Sequence, residues 1–196
     1  MIAQLPSGRT FTDIESAVRA FRWRREVSVV EIGSPQRLAP YSLALEAEVR
    51  QTPVDETEVA SGRLGILHNP AGDQTWRGAT RFVSFVHADV EFEMATDPLL
   101  ADVAWSWLLD ALHDADAQSV AASGTVTTMT SRSFGELNDT PQSAVVELRC
   151  SWTAATPGQD ANHLTAWQEL LCQVAGLEPL VDGVTWLTAP GTGQRR

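Results

Sequence analysis

The sequence predicts an α+β domain: an antiparallel sheet of about five to six strands with three helices packed on it, in the order α-β4-α-β2-α. Three observations carry this. Two segments, "LALEAEV" (43–49) and "SAVVELRCSW" (143–152), alternate apolar and polar residues with the period of a half-buried strand. Others repeat apolar residues at helical spacing. Helices and strands do not alternate strictly, as parallel βαβ units would require. At 196 residues the chain is sized for one domain, drawn as 12–188 between a disordered N-terminal segment (1–11) and a flexible tail (189–196).

Taken in order, the first helix spans about 12–24. Thr12 and Glu15 form a capping box, and Ile14, Ala17, Val18 and Phe21 share a face. "VSVVEI" (27–32) is rich in β-branched residues and leads into the turn-prone "GSPQRLAPYS". The strand at 43–49 follows, with Leu43, Leu45, Ala47 and Val49 inward. The acidic "TPVDETEVASG" (52–62) reads as a loop. "RLGILH" (63–68) and a long strand at 76–92 flank the turn cluster "NPAGDQ". The central helix "DPLLADVAWSWLLDALHD" (97–114) takes Asp97 as N-cap and Pro98 as its first residue. Strands at 124–134 and 143–152 form an antiparallel hairpin. A last helix, about 160–175, repeats Leu164, Trp167, Leu171 and Val174 and stops at Gly176.

The central helix poses a specific problem. Trp105 and Trp107 point about 200° apart on a helix, and the apolar side chains span an arc of about 240°, wider than the stripe of an ordinary surface helix. The helix must therefore be covered on two sides, one flank by the sheet and the other by a helix or a second subunit. Trp105, if exposed in the isolated chain, is the leading interface residue; if buried, it is ordinary core packing.

Composition narrows function. A net charge of −11 opposes affinity for nucleic-acid backbones resting on overall charge, and the local cluster Arg19, Arg22, Arg24 and Arg25 reads as a solvated face. No apolar run reaches bilayer length and the N-terminus has no signal core, so a cytoplasmic location without a membrane partner is expected. The two cysteines, Cys150 and Cys172, lack metal-site spacing and read as small core residues.

Candidate chemistry is sparse. In "HADVEFE" the strand period places His87, Asp89, Glu91 and Glu93 on one face, but a strand holds residues i and i+4 roughly 13 Å apart, too far for one metal ion. Ser106 lies in a helix, and Ser131 and Ser133 of "TSRSFG" have no visible base. His68, His87, His113 and His163 are scattered. Arg37, held between two prolines, can grip a carboxylate, and an internal ion pair is the favoured reading. The speculative binding residues are Trp105, Arg37, Arg132 and His87; no cofactor or metal is called for.

The stretches "EIGSPQRLAPYSLALEAEV", "FVSFVHADVEFEMATDPLLADVAWSWLLDAL", "SGTVTTMTSRSFGEL" and "HLTAWQELLCQVAGLEPL" together resemble the actinobacterial domain of unknown function 3000 family. The likeness spans roughly 26–180. It implies a cytoplasmic actinobacterial protein and brings no activity and no catalytic residues. The order of elements is also similar to secretion-chaperone-like proteins (helix, three strands, helix, two strands, helix), with one extra strand here, which implies a dimer that holds partner polypeptides. The expectation is thus a non-enzymatic cytoplasmic interaction protein, homodimeric or binding a protein partner in a chaperone-like way. The alternative is a small-molecule-binding protein or enzyme with a pocket between sheet and helices, using Arg37 with Arg132 or His87.

Overall fold

Strand alternation decides which side of a sheet is dry, and here it leaves one side for helices. The computed structural model describes residues 10–34, 37–55, 57–137 and 141–178; most of the expected disordered N-terminal segment and all of the tail lie outside them. The elements are α1 (Phe11–Ala20), β1 (Val27–Ile32), β2 (Tyr41–Val49), β3 (Ala60–Asp73), β4 (Gly78–Asp89), α2 (Phe92–Ala95), α3 (Leu100–Asp114), β5 (Ser119–Ser131), β6 (Ser143–Ala154) and α4 (Asp160–Val174), with a single 3-10 turn at Gly135–Leu137. Among the described residues the strands form one six-stranded antiparallel sheet, in the order β1-β2-β3-β4-β6-β5. The expected α+β class, strand number and element order hold, with the short α2 added.

The register lines up one helix-facing row across five strands, with Leu45, Leu64, Ser84 and Cys150 buried and Gly124 exposed at its outer end. The neighbouring row, Glu46, Arg63, Phe85, Arg149 and Thr125, faces the other way. Long helices α3 and α4 pack against each other and against the dry rows, with α1 beside α4. Trp152 and Trp167 are fully buried there, each large enough to contribute a few kcal/mol through area removed from water. Their polar ends are satisfied: the Trp167 indole N–H donates to Ser84 Oγ at 3.0 Å and that of Trp152 to His163 Nδ1 at 3.2 Å. Gly62 lets α4 approach β3, since a Cβ there would come within 2.6 Å of Leu171 Cδ2.

Several boundaries differ from the sequence reading, each for a local reason. The first helix is capped two residues early: Asp13 accepts hydrogen bonds from the Thr10 N–H at 2.9 Å and from its hydroxyl at 2.8 Å, which brings Phe11 into the helix and against Tyr41. It stops at Ala20 because Phe21 and Trp23 leave it to form an edge-on pair, with Trp23 edge-on to Trp167. Strand β3 begins at Ala60, where Ala60 and Gly62 already face the helices, and runs through "NPAGD" with a register shift between His68 and Asp73. The turn comes after it, where Asp73 accepts from the Thr75 and Trp76 N–H groups. Asp97 does not cap α3 directly. Its Oδ1 takes the Leu99 N–H at 2.9 Å, closing a turn ahead of a helix that starts at Leu100.

Candidate functional site

Helix α3 buries a narrow stripe of Leu100, Ala104, Leu108, Ala111 and Leu112. Trp105 and Trp107 sit on either side of that stripe, both half-buried against the core. Beyond them the apolar arc ends in solvent, with Val103 and Leu109 each 43% exposed. The wide arc is therefore only partly covered within one chain. Trp105 lies over β5: a Cβ on Gly124 would fall 2.8 Å from Trp105 Cζ3 and 2.5 Å from the Arg149 carbonyl. Glycine at 124 makes the seat for the indole.

Strand β5 is the outer strand on that side. It is 13 residues long, "SVAASGTVTTMTS", with no charge and no proline, and it pairs with β6. From Ser123 to Ser131 almost every side chain is exposed. Strands at sheet edges offer unpaired backbone groups, and proteins ordinarily blunt them with charge, proline or brevity. The opposite edge, β1, is six residues long and carries Glu31. The only irregularity in β5 is the register shift between Val120 and Ser123, where Ala121 takes φ 53°.

The sheet face opposite the helices is uncovered among the described residues. Gly33 and Leu38 stand beside it and, with Ala44, Gly65, Val83 and Phe85, line a largely apolar cleft of about 450 Å³. Arginines border it, but they are engaged: Arg63 with Glu46 at 2.7 Å, and Arg149 with Glu147 at 3.1 Å while stacking on Phe85.

The four residues singled out from the sequence do not form one site. Arg37 is exposed with a left-handed backbone, φ 81°, and it has no ion pair among the described residues, so the expected internal pair is absent there. Arg132 is exposed and covers the Phe92 ring at 4.8 Å. Arg37 precedes β2 while Arg132 follows β5, at the other end of the sheet and four strands across, a separation of roughly 30 Å. His87 faces Glu147 at 3.8 Å on the uncovered side. Its expected carboxylate row stops at Asp89, because the strand ends there and Glu91 and Glu93 belong to the start of α2. Of the four, Trp105 is the one packed against the hydrophobic core, half-buried there rather than fully exposed.

A match to the family described as "Protein of unknown function (DUF3000)" covers residues 7–185. The chain belongs to that family. No curated protein and no solved structure matches it. Among the described residues of this DUF3000 protein no helix is long and apolar enough to cross a membrane.

Other groups noted in the sequence are absorbed by the fold. In the arginine cluster, Arg24 is buried against Glu26 at 3.4 Å and Glu169 at 3.8 Å, while Arg25 and Arg19 pair with Glu26 and Glu15. Cys150 and Cys172 are buried, free and held as thiols, burial pushing both pKa values up to about 12.

Sequence reasoning missed a second concavity, of about 460 Å³, between the end of the β3–β4 hairpin and the loop from β6 into α4. His68, Thr80 and Asp160 line it, with Arg77 also in its wall. His68 and Asp160 are each only 4% exposed. A faint signal was present: His68 falls at an inward position of β3 two residues after Ile66, where an apolar side chain is the default.

Proposed function

We propose that this DUF3000 protein is a non-enzymatic interaction module that joins chains through the β5 edge, a second copy of itself being the occupant. The observation that carries the reading is the 13-residue uncharged edge strand lying beside Trp105. Two copies of a chain of net charge −11 repel one another wherever acidic surface meets acidic surface. At β5 that repulsion is least, and antiparallel self-pairing opposes serine, threonine and valine side chains, which interact favourably across strands. A two-fold axis at the strand also brings the Trp105 and Leu109 flank of each α3 toward the partner, matching the enrichment of tryptophan at interface centres. Holding an extended segment of a different polypeptide by the same edge is the chaperone-like form of this activity.

An enzyme or small-molecule site built from Arg37, Arg132 and His87 has no such support, because those side chains lie on separate parts of the sheet.

Light scattering over a concentration series tests the proposal. The expected result is a mass that rises from one chain toward two, and a Thr127→Lys variant whose dissociation constant is at least tenfold weaker, since an edge lysine opposes pairing. A strictly monomeric wild-type protein at tens of micromolar overturns it.

A further inference from the structure

The uncovered face of the sheet carries an inference that does not rest on the β5 edge. Across strands β2, β3, β4, β6 and β5, one row of the register reads Ala44, Gly65, Val83, Ser151 and Ser123. Its first three residues line the apolar cleft together with Leu38, Leu67 and Phe85. Its last two line an adjoining concavity of about 390 Å³, with Thr125 beside them. The two hollows share Val83 and Arg149, so one trough passes from apolar to hydroxyl-bearing surface.

Behind the polar end stands Arg81, half-buried. Its Nη2 donates to Ser151 Oγ at 2.7 Å and to Ser123 Oγ at 3.3 Å, and its Nη1 donates to Thr153 Oγ1 and to the Ala121 carbonyl, each at 3.0 Å. All four acceptors are neutral, and among the described residues no carboxylate pairs with this guanidinium. Desolvation pulls its pKa below the ordinary value with no neighbouring acid to offset it, yet an arginine stays charged at neutral pH. The other arginines at the trough are balanced, Arg63 by Glu46 and Arg149 by Glu147. In a chain with 25 acidic residues against 14 basic ones, a half-buried cation without a counter-charge calls for one from outside.

The hydroxyls decide its kind. Each serine already accepts from Arg81 and keeps its own proton to donate. Their oxygens are 3.4 Å apart, so even when one serves the other, a hydroxyl proton remains, whichever way the pair is oriented. Arg149 commits Nη2 to Glu147, and among the described residues its other nitrogens have no hydrogen-bond partner. The polar end thus offers donors and positive charge, and an acceptor-only anion meets both. A cation would face Arg81, and a neutral ligand would leave that charge uncompensated. One unbalanced arginine suits one negative charge, and the field of a chain of net charge −11 opposes a second. From Ser151 to Ala44 the row crosses three strand spacings, roughly 14 Å, the reach of a carboxylate with an alkyl chain of about eight carbons. At its centre a Cβ on Gly65 would meet nothing closer than 3.7 Å, so the trough is open there.

We propose that this trough binds an amphiphilic monocarboxylate, its carboxylate held by the Ser123 and Ser151 hydroxyls and Arg149 over the Arg81 charge, and its alkyl chain lying across Val83, Gly65 and Ala44.

The test uses the full chain with octanoate, n-octanol and n-octylammonium, read by melting temperature and by backbone amide resonances. Octanoate is expected to give a saturable rise in melting temperature, to shift the Gly65, Val83 and Ser151 amides, and to bind at least tenfold more tightly than either other probe. Arg81→Met should bring octanoate down to the level of octanol. Gly65→Val, which fills the middle of the trough, should weaken octanoate at least tenfold. Should either variant fail to fold, the ranking of the three probes and the location of the shifts on the wild-type protein decide. Equal responses to all three, tighter binding of octanol or octylammonium, shifts confined to the helix side of the sheet, or no saturable response to octanoate each overturn the proposal, as does unchanged octanoate affinity in either folded variant.

Discussion

His163 and His68 are both buried, both engaged through Nδ1 and both left with an Nε2 that has no hydrogen-bond partner among the described residues, yet they stand in different surroundings. His163 is sealed between sheet and helix. It accepts from the Trp152 indole N–H, which fixes its own proton on Nε2, and its ring lies 4.6 Å from that of Phe82. Burial lowers its pKa to about 4. His68 has a softer environment, with a carboxylate nearby and a cavity at its side. The comparison teaches that an orphaned ring nitrogen means little by itself. Against aromatic walls it belongs to a packing solution, whereas His68 lines open volume beside a buried acid.

Four expectations sharpen or break this contrast. The largest concerns the sealed side: Trp152→Ala removes both the wall and the donor that hold His163, and should destabilise the fold by about 3–5 kcal/mol in chemical denaturation. A loss below about 1 kcal/mol would mean that the core around His163 is loose.

Acid comes next. The folded pKa of His163 lies below its unfolded value of about 6.5, so the unfolded state binds the proton more readily as pH falls. The stabilisation is complete above pH 6.5 and is lost as pH drops toward 4, by about 3 kcal/mol for this group. His68, shifted in the same direction, adds to the loss. Urea titrations across that window should show a steep decline in wild-type stability and a shallower one in His163→Leu. Parallel slopes would refute the assignment.

Gly62→Ala is expected to cost about 1–3 kcal/mol, because the added methyl drives Leu171 away from β3. A melting curve suffices, and an unchanged midpoint would show that α4 can retreat freely. The smallest effect belongs to the exposed arginines. Arg37→Ala and Arg132→Ala should each stay within about 0.5 kcal/mol of wild type, and a larger change at Arg37 would reveal a tertiary contact that its exposure does not indicate.

Much of the fold was legible. The alternation in 43–49 and 143–152 and the helical repeats of α3 and α4 reflect single-face burial, which a linear pattern records directly. Ends of elements were less readable, because competing local hydrogen bonds settle them: Asp13 against Glu15 for α1, and Asp97 closing a turn rather than capping α3. The carboxylate row from His87 was extrapolated by periodicity past the point where the chain turns into α2.

By itself the sequence determined the class of fold, the order of its elements, the dry face of each central strand and the ambivalence of the Trp105 helix. All of these follow from the local period of apolar residues. Tertiary structure alone decided which strand became an outer edge, that Trp105 rests over Gly124, that Arg37 and Arg132 stand far apart, and that His68 and Asp160, 92 positions apart in the chain, share one cavity. Strand order and the meeting of distant loops depend on long-range register, and no window of neighbouring residues encodes that.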